Sequence, residues 1–274
     1  MTTATAAAAP TYQAIAVDSS GGGICTITLN RPDVLNAFND QLTTELHDAL
    51  KSAEREPGTR VIVITGAGRA FSSGQDLADL KTRYVPGYVP ELDHDLHKRY
   101  NPIIRRIREM EKPVIASVNG VAAGAGCSLA LACDMRLASD QASFIEVFIN
   151  VGLIPDSGST FMLPRLVGLG RAMELCCTGR KVDAAEALQI GLVNQVVPAE
   201  QLVEATTKFA AKLASLPSRA IALTKRLLNQ SLENDLSRQL ELESFAQETA
   251  GKTKDHTEGV VAFLEKRKPT FRGE

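Results

Sequence analysis

The chain has no tryptophan among its 274 residues, and aromatic residues make up only 5% of it. No indole is therefore available to stack on a ring substrate. No apolar run approaches the roughly 18 residues of a spanning helix, so no segment reads as a membrane crossing. Cysteine is sparse and unpaired in pattern. Cys25, Cys127, Cys133, Cys176 and Cys177 make an odd set without a CxxC spacing, which argues against a disulfide framework or a zinc site. A reducing, cytoplasmic setting is expected instead. Charge of neither sign dominates: 30 Lys and Arg against 32 Asp and Glu leave a net −2. No broad basic field for nucleic acid follows from such a balance. The opening MTTATAAAAP lacks a basic start and a long apolar stretch, so residues 1–12 read as a flexible tail rather than a signal peptide.

Several ligand motifs are missing as well. There is no GxxxxGK[ST] phosphate loop and no GxSxG nucleophile turn. Gly124-Ala125-Gly126 lacks the third glycine of a dinucleotide fingerprint.

What is present alternates strand and helix signals. Ala14–Val17 and Ile24–Leu29 flank a Ser/Gly turn, Ser19–Gly23, and read as a hairpin. Asn39–Ala53 reads as a helix, with Leu42, Leu46, Ala49 and Leu50 on one face and Asn39 as its cap. Val61–Ile64, Val114–Val118, Met135–Ala138 and Val193–Val197 read as strands, the first two buried on both faces. Tyr84–Pro90 reads as loop, Pro102–Met110 as a helix, and Gly124–Cys133 as small residues opening an apolar helix. This is an α/β pattern with parallel or stacked sheets. From about Pro198 strand signals stop. Gln201–Ala214, Ser218–Ser231 and Asp235–Ala250 read as helices, and Gly259–Pro269 as a basic tail. The expected organisation is a tail (1–12), an α/β core (13–198) and a C-terminal helical region (199–274).

Three glycine-rich segments follow apolar stretches: Gly66–Leu77, Asn119–Ser128 and Gly152–Ser159. Glycine lets backbone N–H groups approach a ligand closely. Free N–H groups at a helix start carry fixed partial positive charge. Two such groups aimed at one point form an oxyanion hole. A turn that merely turns is the plain alternative for each segment taken alone.

Taken together these segments resemble the enoyl-CoA hydratase/isomerase (crotonase) superfamily. Arg31-Pro32-Asp33-Val34-Leu35-Asn36-Ala37 is similar to its RP-x-x-LNA signature, and Phe71-Ser72-Ser73-Gly74-Gln75-Asp76-Leu77 to its F-x-x-G-x-D-[IL] segment. Asn119-Gly120 through Cys133-Asp134 is similar to its NG-x-A-x-G-x-G…LA-x-x-CD block, and Phe263–Pro269 to a common family ending. The resemblance implies a spiral of ββα turns with a C-terminal helical region, assembled as a homotrimer or as a hexamer of two trimers. It implies an acyl-CoA thioester substrate, with coenzyme A part of that substrate and no separate cofactor or metal. It assigns the oxyanion hole to the backbone N–H groups of Gln75 and Ala125. Contacts to the CoA ester fall on Val34, Ala37, Ser73, Asp76 and Leu77, with Lys266 arriving from a neighbouring subunit.

The family's hydratases carry two Glu residues, at positions that here hold Ser128 and Phe148. Adding water needs a base for the water and an acid for the carbon, and neither residue serves. Asp156 stands where several isomerases of the superfamily keep their acid/base, and where its dehalogenases keep a nucleophile. The string Gly152-Leu153-Ile154-Pro155-Asp156-Ser157-Gly158 and the Tyr100-Asn101-Pro102 segment resemble the epoxyphenylacetyl-CoA isomerase branch. The expectation is an isomerase moving a proton, or rearranging an epoxide to an oxepin, through a thioester enolate. Alternatives are a hydratase with a nonstandard acid and a catalytically weak acyl-CoA-binding subunit. The apolar Leu153-Ile154-Pro155 beside Asp156 is expected to raise its pKa from about 3.9. A helix cap near Ser157 is the plain alternative. Glu146 is a possible secondary acid, with a solvated or salt-bridged position as its ordinary reading. His94 and His97 read as solvated, with His97 a candidate hydrolytic base. Cys127 and Cys133 read as packing residues of the central helix.

Overall fold

The computed structural model describes residues 12–81 and 85–274. Residues 1–11 of the expected tail and Tyr84 of the expected loop thus lie outside the described residues. Tyr12 is half-buried against the core, and its hydroxyl donates to Asp48 Oδ2 at 2.9 Å.

The chain opens with an antiparallel hairpin, β1 (Ile15–Gly21) and β2 (Ile24–Leu29). β1 runs two residues further than Ser19, so the turn is only Gly22-Gly23, both at positive φ. A 3-10 turn, Pro32–Val34, leads to α1 (Asp40–Arg55). The Asn39 side chain accepts the Leu42 N–H at 2.9 Å, as the sequence predicts. α1 buries Leu42, Leu46, Ala49, Leu50 and Ala53. Then come β3 (Val61–Gly66), β4 (Ala70–Ser72), α2 (Leu77–Leu80), α3 (Leu92–Asp95), a π-turn over Leu96–Tyr100 and α4 (Asn101–Glu109). Two further rounds follow: β5 (Val114–Val118), β6 (Val121–Ala123) and α5 (Ala125–Ala132), then β7 (Met135–Ser139), β8 (Ser143–Ile145) and α6 (Ser159–Val167). α7 (Leu169–Thr178), β9 (Lys181–Asp183), α8 (Ala184–Gln189) and β10 (Gln195–Val197) complete the sheets. Helices α9 (Leu202–Ala214), α10 (Ser218–Gln230), α11 (Leu236–Gly251) and α12 (Lys254–Leu264) finish the chain.

The strands form two sheets, ordered β1-β2-β3-β5-β7-β10 and β4-β6-β8-β9. Each round places one strand in the large sheet, the next in the small sheet, then a helix. This is the ββα spiral that the resemblance implied. Beyond the opening hairpin the large sheet is parallel, and β8 with β9 is the antiparallel pair of the small one. The crossing from one sheet to the other leaves no room for a side chain. A Cβ on Gly66 would lie 2.1 Å from the Ala70 carbonyl oxygen, and one on Gly120 2.1 Å from that of Arg69.

β3 shows why the large sheet is so apolar. Ile62 and Ile64 point into the main core, while Val61 and Val63 join Ile115 and Leu137 under Leu202, Ala210 and Ala214 of α9. Alternate residues thus bury on opposite faces, and both faces are covered. The tail expected over Gly259–Pro269 is a correction: its first part belongs to α12, whose start is capped by Thr253 accepting the His256 N–H at 3.1 Å. Gly259 concealed that helix, and it sits under the Phe271 ring, 3.5 Å from where a Cβ would be.

Candidate active site

Three loops meet at the start of α5. The first follows β4. Phe38 N–H donates to the Gly74 carbonyl at 2.7 Å, and Asp76 N–H donates to the Phe38 carbonyl at 3.0 Å. This parallel bridge turns the N–H of Gln75, between them, away from Phe38. Gly74, at φ +91, lies against the second loop: a Cβ there would be 2.7 Å from the Ala123 carbonyl oxygen and 3.4 Å from the Ala125 nitrogen. The segment carrying Gln75 and the first turn of α5 are therefore side by side.

Ala125 is the first residue of α5, and Gly124 before it has no side chain to cap the helix. The early N–H groups of a helix have no partner within it. α5 comes unusually close to β4, because a Cβ on Gly126 would sit 2.5 Å from the Ser72 carbonyl oxygen. At the far end of α5, buried Arg136 donates to the Cys133 carbonyl at 2.8 Å and reaches those of Ala130 and Leu131. A cation at the C-terminus and open N–H groups at the N-terminus match the helix dipole.

The third loop, between β8 and α6, brings two carboxyl groups. Asp156 is partly buried, and burial raises its pKa, opposed by the Ser157 hydroxyl donating to Oδ1 at 2.8 Å. Its side chain does not cap α6, which starts at Ser159 behind Gly158; the Asp156 carbonyl accepts the Ser159 N–H instead. The capping alternative is thus set aside, and the pKa shift has the expected direction but not the expected cause: Leu153 and Ile154 are exposed and do not bury Asp156.

Glu146 corrects the expectation of a solvated or salt-bridged acid. It is 4% exposed, Ser159 Oγ lies 3.0 Å from its Oε1, and its Oε2 has no hydrogen-bond partner. Burial, ahead of the opposing Ser159 and Cys127 contacts, raises its pKa to about 7. The segment after β8 turns inward at Glu146 into a 3-10 turn, Val147–Val151, which presents buried Phe148. A Cβ on Gly124 would be 3.2 Å from Val147 Cγ1 and 3.9 Å from Phe148 Cζ, so an apolar wall faces the start of α5.

Tyr100 is a site residue whose role sequence reasoning missed. Its hydroxyl donates to the Gln75 side-chain oxygen, and its ring meets Phe38 edge-on at 5.9 Å. Burial raises its pKa, and the negative charge of Asp156 pushes the same way. Tyr100 therefore lies between the Gln75 loop and Asp156. A tyrosine before Asn101-Pro102 was the available signal, but it was read only as part of a resemblance.

Val34, Ala37 and Ser73 are adjacent: Ser73 N–H donates to Leu35 O at 2.9 Å, and its hydroxyl reaches Val34 O at 3.4 Å. Leu77 is exposed beside them, as is Val34. Asp76 is buried and paired with Arg31 at 2.9 Å, so its carboxylate braces this wall from within. Leu35 and Asn36 both take positive φ, and Asn36 is held by Arg31 N–H and by the carbonyls of Ala67 and Ala70. Lys266 is exposed after α12, and among the hydrogen bonds and ion pairs of the described residues none joins it to this group. His94 and His97 are exposed, and His97 Nδ1 lies 3.3 Å from Asp93 Oδ1. Cys127 and Cys133 are buried free thiols, and burial raises the pKa of both.

The chain is similar to known proteins over most of its length. The enoyl-CoA hydratase/isomerase family model matches residues 19–274. A 1,2-epoxyphenylacetyl-CoA isomerase of Escherichia coli is 44% identical over 92% of this chain and 95% of its own length. A crotonyl-CoA hydratase of Syntrophomonas wolfei is 36% identical over 90% of this chain and 94% of its own. The crystal structure of an enoyl-CoA hydratase from Bacillus anthracis superposes with a TM-score of 0.89 at 38% identity, covering 96% of this chain and all of the other.

Proposed function

The chain belongs to the enoyl-CoA hydratase/isomerase family, and from that premise we propose that it is an acyl-CoA isomerase whose acid/base is Asp156. The observation that carries the reading is the disposition of carboxyl groups. Where the family's hydratases hold two glutamates the chain has Ser128, whose hydroxyl is bonded internally, and the buried ring of Phe148. Asp156 is partly buried, with a raised pKa.

The mechanism follows from these groups. The thioester carbonyl sits between the N–H groups of Gln75 and Ala125. Asp156 takes a proton from C2, and the electron pair moves onto the thioester oxygen as an enolate. Each backbone donor contributes about 2.7–4 kcal/mol to such a charge in comparable sites. The same carboxyl returns the proton at C4, and the double bond moves from C3–C4 to C2–C3. Burial makes Asp156 a stronger base than an exposed aspartate, which suits it to this step. The CoA portion lies along Val34, Ala37, Ser73 and Leu77, with Asp76 bracing from behind and Lys266 of a neighbouring subunit meeting its phosphates. An aromatic epoxide is the substrate class favoured by the Escherichia coli relative, with phenylacetate catabolism as its setting.

Water addition is the second reading, supported by the hydratases among the relatives and by Glu146 as a second carboxyl group near Asp156. Replacing Asp156 with Asn separates the two. Isomerisation of a 3-enoyl-CoA is expected to fall at least about a hundredfold, as for loss of a general acid/base, with CoA-ester binding retained. Unchanged isomerisation by Asp156→Asn would sink the assignment.

A further inference from the structure

Glu146 is a buried acid that the mechanism above leaves unused. Its neighbours form a chain of hydroxyl groups. Ser159 Oγ lies 3.0 Å from Glu146 Oε1, and Ser128 Oγ lies 2.8 Å from Ser159 Oγ. Ser128 Oγ also lies 3.1 Å from the Asp156 carbonyl oxygen and 3.2 Å from the Gly124 carbonyl oxygen. The Gly124 carbonyl belongs to the same peptide group as the Ala125 N–H. The chain thus runs from one buried carboxyl to the backbone of both the base and one oxyanion donor.

We propose that Glu146 is a positioning residue, acting as the donor end of the chain Glu146–Ser159–Ser128 that terminates on the carbonyls of Gly124 and Asp156. The inference rests on the isomerase reading given above.

Each hydroxyl has one proton to donate. When Glu146 is ionised it only accepts, so Ser159 points at Glu146 and can draw Ser128 after it. Neither Gly124 nor Asp156 then receives the Ser128 proton. When Glu146 carries a proton on Oε1 it donates to Ser159, Ser159 donates to Ser128, and Ser128 shares its one proton between those two carbonyls. Bonding at the Gly124 carbonyl polarises its peptide and strengthens the Ala125 N–H as a donor. The protonated form also suits the unpartnered Oε2, because an uncharged carbonyl oxygen is less costly to leave unpaired than a carboxylate oxygen.

The titratable groups acting on Glu146 are Asp156 from the loop before α6, Cys127 from α5 and Cys176 from α7. All are acids, and Lys181 of β9, opposite Ile145, points to solvent. Burial raises the Glu146 pKa to about 7, so the donor form prevails below neutrality and is lost above it.

The test is the pH profile of kcat on a 3-enoyl-CoA for the wild type, Glu146→Gln and Ser159→Ala. The wild-type rate is expected to rise as Asp156 ionises, then to fall by about fivefold or more as Glu146 ionises near pH 7. The Gln amide donates to Ser159 at every pH, so Glu146→Gln retains most of the wild-type rate at low pH and loses the alkaline fall. Ser159→Ala cuts the chain and loses that fall as well, at a lower rate throughout. An alkaline fall that persists in Glu146→Gln, or a Gln variant that is folded but inactive at all pH values, overturns the proposal. Asp156→Asn run alongside distinguishes the failures. If it stays active the isomerase reading fails; if it is inactive while all other profiles coincide, only the role of Glu146 fails.

Discussion

Tyr100 holds the Gln75 side chain with its hydroxyl and feels the negative charge of Asp156. The Gln75 side chain that it holds is attached to the N–H proposed to face the thioester oxygen. Removing the donor leaves the Gln75 amide without its buried partner, a loss of order 1–3 kcal/mol. Tyr100→Phe is therefore expected to lower kcat/KM by about tenfold, which corresponds to about 1.4 kcal/mol, with the loss mainly in kcat. Steady-state kinetics decides it, and a variant indistinguishable from wild type would detach Tyr100 from the site. Chemistry at this scale was partly legible in the sequence. The direction of the Asp156 shift was legible, though not its cause, because Leu153 and Ile154 are exposed, and the absence of the hydratase glutamates was visible at Ser128 and Phe148. Glu146 was not legible, because its burial depends on α5 and α6 closing over it. Single-residue reasoning treats an isolated Glu between apolar residues as a solvated one.

α5 is the element on which the site turns, and its seating depends on missing side chains. Gly126 faces the Ser72 carbonyl at 2.5 Å from where its Cβ would be. Because that obstacle is backbone, Gly126→Ala has to push α5 away from β4. Overpacking of this kind costs about 1–3 kcal/mol, and the Ala125 N–H moves with the helix. Denaturant unfolding is expected to show the lost stability, and kinetics a lower kcat. Full stability with full activity would mean that the approach is slack. Long helices such as α1 and α9 were readable because their periodicity extends over several turns, and β5 because it is apolar on both faces. β4, β6, β8 and β9 are three residues each, too short for any period to register. The small sheet that carries the site loops therefore emerged only from the pairing of the strands.

At the scale of the molecule, α11 and α12 leave Leu236, Leu240, Phe245, Phe263 and Leu264 exposed. Apolar exposure of this extent on neighbouring helices marks a surface for association. The family assembly proposed for the chain is a trimer or a hexamer. Sedimentation or light scattering is expected to give three or six times the chain mass of 29.4 kDa. Replacing Phe263 with Asp should lower that mass and weaken CoA-ester binding together, because Lys266 lies three residues on. A monomeric wild-type protein with full activity would contradict this account.

In the proposed reaction one carboxyl group, that of Asp156, moves one proton. A 3-enoyl-CoA labelled with deuterium at C2, turned over in ordinary water and followed by mass spectrometry and NMR, tests it most directly. The expected result is a 2-enoyl product with part of the label recovered at C4 and no gain of water, and no 2-enoyl product from Asp156→Asn. A 3-hydroxyacyl-CoA product carrying solvent oxygen, or label transfer undiminished in Asp156→Asn, would contradict it.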